Sequence, residues 1–218
     1  MSKKQPTVNP HPRWPVVAAI LAICVLYYLL PEHLTVGPGW LLLVVSIILL
    51  IPTMLTHRMG HINLNEIFAY LSLSVITLGL VASLTLLVMR LPQHKDAPVI
   101  LLEAASALWI ANILLFACWY WKLDGGGPNQ RDEKGVHLDG AFLFPQMTMD
   151  EQLRIRMGEH EWSPGFVDYL FLAFNTSTAF SPTDVPVLSR WAKILMVVQS
   201  MISLTTVALL AARAVNIL

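Results

Sequence analysis

Apolar residues dominate this sequence in five long runs that are separated by shorter polar segments. The runs cover about residues 14–30, 39–56, 64–91, 97–121 and 189–218. A helix rises about 1.5 Å per residue, so roughly 20 residues are needed to cross the hydrocarbon core of a bilayer. We therefore predict an all-α integral membrane protein with five transmembrane helices.

A sixth and shorter apolar run follows a polar region at residues 123–163. Ser163 and Pro164 favour the start of a helix there, and the apolar run after them is about a dozen residues long. Such a run is too short to cross a bilayer and is typical of a re-entrant segment. Pro182 then predicts a turn before the last span. The alternative is an amphipathic surface helix at residues 166–174, followed by one ordinary span.

The composition agrees with a location in the lipid bilayer. Hydrophobic residues make up 56% of the chain and charged residues 13%, which is about half the charged fraction of soluble domains. Lys plus Arg and Asp plus Glu both number 14, so the charge balance predicts no nucleic-acid partner. Cys24 and Cys118 lie inside apolar runs, which indicates small buried hydrophobes rather than a disulfide or a metal site.

Hydroxyl and amide side chains are concentrated just before the last span, in the stretch FNTSTAFSPTDVP at residues 174–186. Non-helical backbone at membrane depth must be buried in protein or line water. We therefore expect this stretch to be the turn of a re-entrant loop that lines a pore. The candidate filter and ion pathway consists of Thr176, Ser177, Thr178, Ala179, Phe180, Ser181, Pro182, Thr183 and Asp184.

The order of residue types around this stretch is also informative. A threonine-rich approach is followed by an aspartate and then by Pro, Ser, a small residue and a basic residue. These positions are Asn175, Thr176, Ser177 and Thr178, then Asp184, then Pro186, Ser189, Ala192 and Lys193. With a one-residue gap, residues 164–215 resemble the pore module of tetrameric potassium channels, which has a pore helix, a filter and an inner helix. The same tail is similar to small bacterial membrane proteins grouped as a domain of unknown function.

The resemblance implies an architecture and a permeating ion. One pore loop per chain cannot enclose an axis, so the chain is expected to form a homotetramer. Residues 1–96 then form an N-terminal three-helix membrane region, and residues 97–218 form a pore-like domain. The parts of that domain are an outer helix at 97–122, a polar loop at 123–163, the pore helix and filter-like turn at 164–186, and an inner helix at 187–218. Monovalent cations are the implied partners.

The centre of the filter differs from that of potassium channels. Where the family has Gly-Tyr-Gly, this chain has Ser181, Pro182 and Thr183. Glycine readily adopts the positive φ that turns successive carbonyls toward the axis, whereas Ser and Thr do so reluctantly and Pro cannot. We expect hydroxyl groups to line a wider and wetter constriction, with weak selectivity among monovalent cations, or a pore that rarely opens.

Polar residues inside the spans are further candidates. Gln199, Ser203 and Thr206 recur at spacings of four and three, so they share one face of the last helix. Such a face lines a water-filled cavity or makes hydrogen bonds between helices. Glu103, about six residues into the fourth span, is a candidate for proton or cation transfer, with an interfacial salt bridge as the alternative.

Two further patterns predict ordinary structure. LDGGGPNQRDEKG has no apolar period and is expected to be an irregular loop, and TMDEQLRIRMG is expected to be a short helix capped by Thr148. His57 and His61 have a spacing that suits a metal on a helix, but Gly60 between them favours a surface turn.

The predicted function is passive permeation of monovalent cations through a tetrameric, multi-pass protein of the bacterial inner membrane. There is no phosphate loop, nucleophile elbow or HExxH motif, so no enzyme activity, cofactor or metal is predicted. Counting Lys and Arg in the long loop puts the N-terminus in the cytoplasm, and excluding that loop leaves little preference. The alternatives are a non-conducting accessory or scaffold protein, with Phe180 and Pro182 plugging the axis, and a small secondary transporter coupled through Glu103.

Overall fold

The computed structural model describes residues 12–90, 97–134, 140–159, 162–181 and 184–215. Within these ranges the regular structure is helical, apart from one isolated β-bridge. The helices are α1 (Trp14–Tyr28), α2 (Trp40–Arg58), α3 (Ile62–Arg90), α4 (Pro98–Leu123), α5 (Gly127–Lys134), α6 (Pro145–Thr148), α7 (Glu151–Arg156), α8 (Phe166–Ala179) and α9 (Arg190–Val215).

Four of the helices are long and apolar enough to cross a membrane, namely α2, α3, α4 and α9. The predicted all-helical membrane protein is confirmed at this level. α1 has 15 residues and rises about 22 Å, which is shorter than the hydrocarbon core of about 30 Å. It ends early because Pro31 disfavours helical backbone at the residue before it, and the predicted fifth span is therefore not confirmed.

The helix α4 lies at the centre of the bundle. It contacts α1, α3, α8 and α9, while α2 packs against α1 and α3. Small buried side chains on α4 allow these close approaches, as they do at other contacts between membrane helices. They are Ala104, Ala105, Ala111, Ala117 and Cys118. Cys24 is also a buried free thiol, so both cysteines are small core residues as predicted.

The polar segment after α4 is more ordered than the sequence predicts. The expected irregular loop is a 3-10 turn at Asp124–Gly126 followed directly by α5. Gly125, Gly126 and Gly127 have φ values of 57°, 78° and 85°, which glycine adopts without a steric penalty. The prediction of a loop was wrong because α5 is held by buried polar side chains and has no apolar stripe.

Two helix starts differ from the predicted ones by two residues. Asp150, rather than Thr148, caps α7, because its carboxylate accepts a hydrogen bond of 2.7 Å from the Leu153 N–H. Gly165, rather than Ser163, precedes α8, and its N–H donates to the Asp168 carboxylate at 2.7 Å. An acidic side chain near each helix start therefore decides where the helix begins.

A short antiparallel contact ties the loop after α5 to the start of α9. Phe142 and Val187 form the β-bridge, and two backbone hydrogen bonds flank it. The ring of Phe142 also contacts Tyr169 near the start of α8 and Trp191 near the start of α9, with centroid distances of 6.3 and 6.2 Å. α8 and α9 therefore both begin at the level of this loop.

We expect Gly127→Ala to lower the free energy of unfolding in detergent by about 2–4 kcal/mol. A Cβ at this position would lie 2.7 Å from the Lys122 carbonyl oxygen, at a φ of +85°. Gly60→Ala is the matched control, since Gly60 has a φ of +73° with open space around its Cβ position. That control should cost about 1–2 kcal/mol. Equal losses for the two variants in thermal or denaturant unfolding would contradict the packing described here.

Candidate functional site

Four fully buried residues form a polar seam between α4, α8 and α9: Tyr120, Ser177, Gln199 and Ser203. The Gln199 amide nitrogen donates to the Ala173 carbonyl at 2.7 Å and to the Ser177 hydroxyl at 2.8 Å. Its amide oxygen accepts from the Tyr120 hydroxyl. The Ser203 hydroxyl donates to the Ser177 carbonyl at 3.0 Å. The polar seam therefore fastens the C-terminal half of α8 to both long helices beside it.

The predicted polar face of α9 lies in this seam. Gln199, Ser203 and Thr206 share one helix face, and all three are 0% exposed. The Thr206 hydroxyl donates to the Ile202 and Ser203 carbonyls of its own helix. Within a single chain this face makes hydrogen bonds to other helices, which is the alternative to pore lining that the sequence left open. The role of these residues in lining a pore stays a prediction.

The filter-like turn, residues 176–184, has a buried part and an exposed part. Thr176 and Ser177 are fully buried, and the Thr176 hydroxyl donates to the Leu172 carbonyl at 2.8 Å. The exposed residues are Thr178, Ala179, Phe180, Ser181 and Asp184. Pro182 and Thr183 lie outside the described residues. The described residues of the turn after Ser177 thus lie on the surface of the chain.

Phe180 ends α8 in an unusual backbone conformation. Its φ of 54° and ψ of 26° are left-handed, and it is the only non-glycine residue with a positive φ in the described part of the chain. Glycine usually occupies this position after a helix, because other residues pay about 1–2 kcal/mol there. A large side chain kept at that cost suggests a role for the ring itself.

The Phe180 ring lies at the edge of an open cavity of about 500 Å³ between the end of α8 and α9. Ser181, Lys193, Met196 and Ser200 also line this cavity. Phe180 is 42% exposed. The surface around the turn is therefore a concave, mostly apolar face that carries a few polar groups.

A buried charged cluster that the sequence analysis did not identify anchors the start of α8. The Asp124 carboxylate accepts from the Tyr169 hydroxyl at 2.8 Å and from the Ala141 N–H at 2.5 Å. Arg131 is 2% exposed and donates to the Trp121 and Asp124 carbonyls at 3.0 and 2.5 Å. Its guanidinium also lies over the rings of Trp121 and Tyr169.

This charged cluster fixes α8 relative to the end of α4. Burial of a charged group is costly unless hydrogen bonds or aromatic faces surround it. The Arg131 guanidinium lies over two rings and donates from Nη1 to two carbonyls, while its Nε and Nη2 atoms make no hydrogen bond with the described residues. The sequence signal was weak, because a buried Asp and Arg in a glycine-rich polar segment have the same pattern as solvated loop residues.

The other candidates lie on the surface. Glu103 is exposed on α4, and His57 and His61 are exposed at the α2–α3 connection. Among the described residues no group of three or more metal-ligating side chains is found. The proton or cation role of Glu103 stays a prediction, and the surface turn expected around Gly60 is present.

Comparison of the chain with protein-family models, with curated proteins and with solved structures finds no match. Function is therefore inferred from the contacts and the exposure of the residues themselves. Three features carry this inference: the polar seam, the anchored start of α8, and the exposed turn with strained backbone between α8 and α9.

We expect Gln199→Met to lower the free energy of unfolding in detergent by about 1–3 kcal/mol. The volume of the side chain is roughly kept, but the Tyr120 hydroxyl and the Ala173 carbonyl lose the hydrogen bonds that they make with Gln199. Thr205→Val is the matched control on the same helix, since its exposed hydroxyl donates to the Met201 carbonyl in its own helix. The control should change stability by less than about 0.5 kcal/mol. Similar effects of the two variants would contradict the polar seam.

Proposed function

We propose that the chain forms a homotetrameric pore for monovalent cations in the bacterial inner membrane, with α8 as a re-entrant helix and residues 176–184 as the constriction. The main support is the position of the Phe142 ring. It contacts Tyr169 at the start of α8 and Trp191 at the start of α9. The chain therefore leaves this level through α8 and has returned to it at Val187, which pairs with Phe142 before the last span begins.

The depth that α8 reaches agrees with a re-entrant helix. Its 14 residues rise about 21 Å, less than the hydrocarbon core of about 30 Å. Ser177, near its end, bonds to Gln199, which lies about 14 Å along α9 from Arg190 at 1.5 Å per residue. α9 has 26 residues, so α8 stops well short of the far end of its neighbour.

The end of α8 is suited to attract cations. The last carbonyls of an α-helix have no intrahelical partner, and this end carries about half a unit of negative charge. Asp184 and Ser181 add an exposed carboxylate and an exposed hydroxyl close in sequence. No Lys, Arg or His occurs in residues 174–186, and the cavity beside the turn carries one described cation, Lys193 on α9. Four such ends around a common axis would concentrate cations there.

The chemistry of the turn favours weak selectivity. Thr178 already donates its hydroxyl proton to the carbonyls of Phe174 and Asn175, so its oxygen is free to accept from water or to face a cation. Hydroxyl oxygens on an exposed turn hold water as well as ions, whereas a dehydrating filter requires rings of carbonyls. We expect potassium and sodium to permeate at comparable rates.

A non-conducting membrane protein is the second candidate. The polar seam occupies the face of α9 that would otherwise line a lumen, and the exposed Phe180 ring would obstruct an axis that passed through the turn. Such a protein would act as an accessory or scaffold subunit. It would keep the same helices and the same turn, and it would differ from a pore by having no ion flux.

Phe180→Gly tests the constriction. Glycine removes the ring and accepts the φ of 54°, so the fold is expected to be at least as stable as the wild type. Because apolar constrictions limit permeation by excluding water, we expect potassium flux into liposomes to rise by about tenfold. Sodium flux should rise in parallel.

Phe171→Ala is the matched control for Phe180→Gly. Phe171 is another exposed ring on α8, 54% exposed; it lines a different cavity from Phe180, and its removal should leave the flux unchanged. Flux in the glycine variant equal to that of the wild type would exclude Phe180 as the constriction. If the wild type and Phe180→Gly both give no more flux than protein-free liposomes, the non-conducting candidate is favoured.

A further inference from the structure

A deep groove opens between α1, α2, α3 and α4, away from the filter-like turn. Its volume is about 390 Å³, within the range of about 300–1,000 Å³ that is usual for small-molecule sites. Apolar side chains from three helices form its inner walls, among them Ile20, Leu21, Leu50, Met54 and Leu73. A ligand that fills the groove would therefore need an apolar part.

One end of the groove is cationic. Arg13 at the start of α1, Arg58 at the end of α2 and Lys122 near the end of α4 line it, together with His57. No Asp or Glu of the described chain is among the residues that line the groove. Since α1 and α3 begin where α2 and α4 end, these charges lie at one end of the bundle, as headgroup-level residues do.

Lys122 gives the strongest indication of the charge of the ligand that the groove would bind. It is only 3% exposed, and within the described ranges its ammonium makes no hydrogen bond and no ion pair shorter than 4 Å. It lies over the face of the Tyr70 ring at 5.0 Å, and Glu66 acts on it at longer range. A buried ammonium without a close anion is costly, so the site favours a negatively charged ligand.

The other two cations differ in what they offer to a ligand. Arg13 is paired with Asp132 at 2.8 Å. Burial lowers the pKa of the Arg13 guanidinium, and the Asp132 carboxylate opposes that shift. Arg58 is exposed and forms no ion pair with another described residue. Lys122 and Arg58 are therefore the charges available to a ligand, one inside the groove and one at its mouth.

We propose that this groove binds an anionic phospholipid, with its phosphate at Lys122 and Arg58 and part of one acyl chain along the apolar walls. Between Arg13 and Leu21 the groove follows α1 for about 12 Å. A phospholipid can fill this length with an acyl chain. A free phosphate ion would satisfy the cations and leave the apolar walls unfilled. Basic pockets between membrane helices are suited to anionic headgroups. The site is independent of the proposed cation pore.

The test measures the thermal unfolding midpoint of the full-length chain in detergent during titration with three ligands. They are phosphatidylglycerol, phosphatidylcholine with the same acyl chains, and inorganic phosphate. We expect phosphatidylglycerol to raise the midpoint at about tenfold lower concentration than phosphatidylcholine, and phosphate to have no effect. Equal potency of the two lipids would overturn the proposal. A rise with phosphate equal to that with phosphatidylglycerol would instead indicate a site for the free ion.

Three variants locate the site. Lys122→Met removes the buried charge at similar length, and Arg58→Gln removes the exposed one. Each should weaken the preference for phosphatidylglycerol by about fivefold. Arg190→Gln is the matched control, because Arg190 is exposed at the start of α9, at the same end of the bundle and outside the groove.

Arg58→Gln keeps the test decisive even if Lys122→Met folds poorly, since Arg58 is an exposed side chain. An unchanged lipid preference in Arg58→Gln and in any folded Lys122→Met protein would overturn the proposal. An equal loss in Arg190→Gln would also overturn it, because the effect would then come from general surface charge.

Discussion

The Gln199 amide is the interaction on which the placement of α8 depends. Its nitrogen and oxygen bond to three groups from α8 and α4 at once. Polar groups buried in a membrane protein have no water to replace a lost partner, so an unsatisfied group is costly there. A shift of α8 by one turn would break the two bonds that Gln199 makes to α8, at Ala173 and Ser177. One side chain of α9 thereby sets both the depth and the rotation of α8.

The start of α8 is held by different chemistry from its end. There the Asp124 carboxylate and the Tyr169 hydroxyl bond to each other, with Arg131 packed over the Tyr169 ring. Because both ends of the helix are fixed, the turn after it can remain exposed and can keep the strained backbone of Phe180. The hydrogen bonds at both ends of α8 offset that strain, and the turn remains accessible to water, ions or a neighbouring chain.

Much of the helical layout could be predicted from the sequence, because long apolar runs have few alternatives to a membrane helix. α2, α3, α4 and α9 begin and end within a few residues of the predicted limits. The short apolar run after Pro164 forms α8. The spacing of polar residues on α9 also predicted their common face. It could not predict what covers that face, since Tyr120 and Ser177 are distant in sequence and their meeting with Gln199 depends on tertiary packing. Arg131 was missed for the same reason, because its burial depends on Tyr169.

The proposed pore requires the exposed turn after α8 to face the axis of a tetramer. The most direct measurement is the oligomeric state of the full-length chain in nanodiscs, determined by native mass spectrometry under mild activation. We expect a complex of four chains, which would place four turns and four Asp184 side chains around one axis. A chain that remains monomeric or dimeric across lipid compositions and protein concentrations would contradict it, because no closed pathway could then form between the turns.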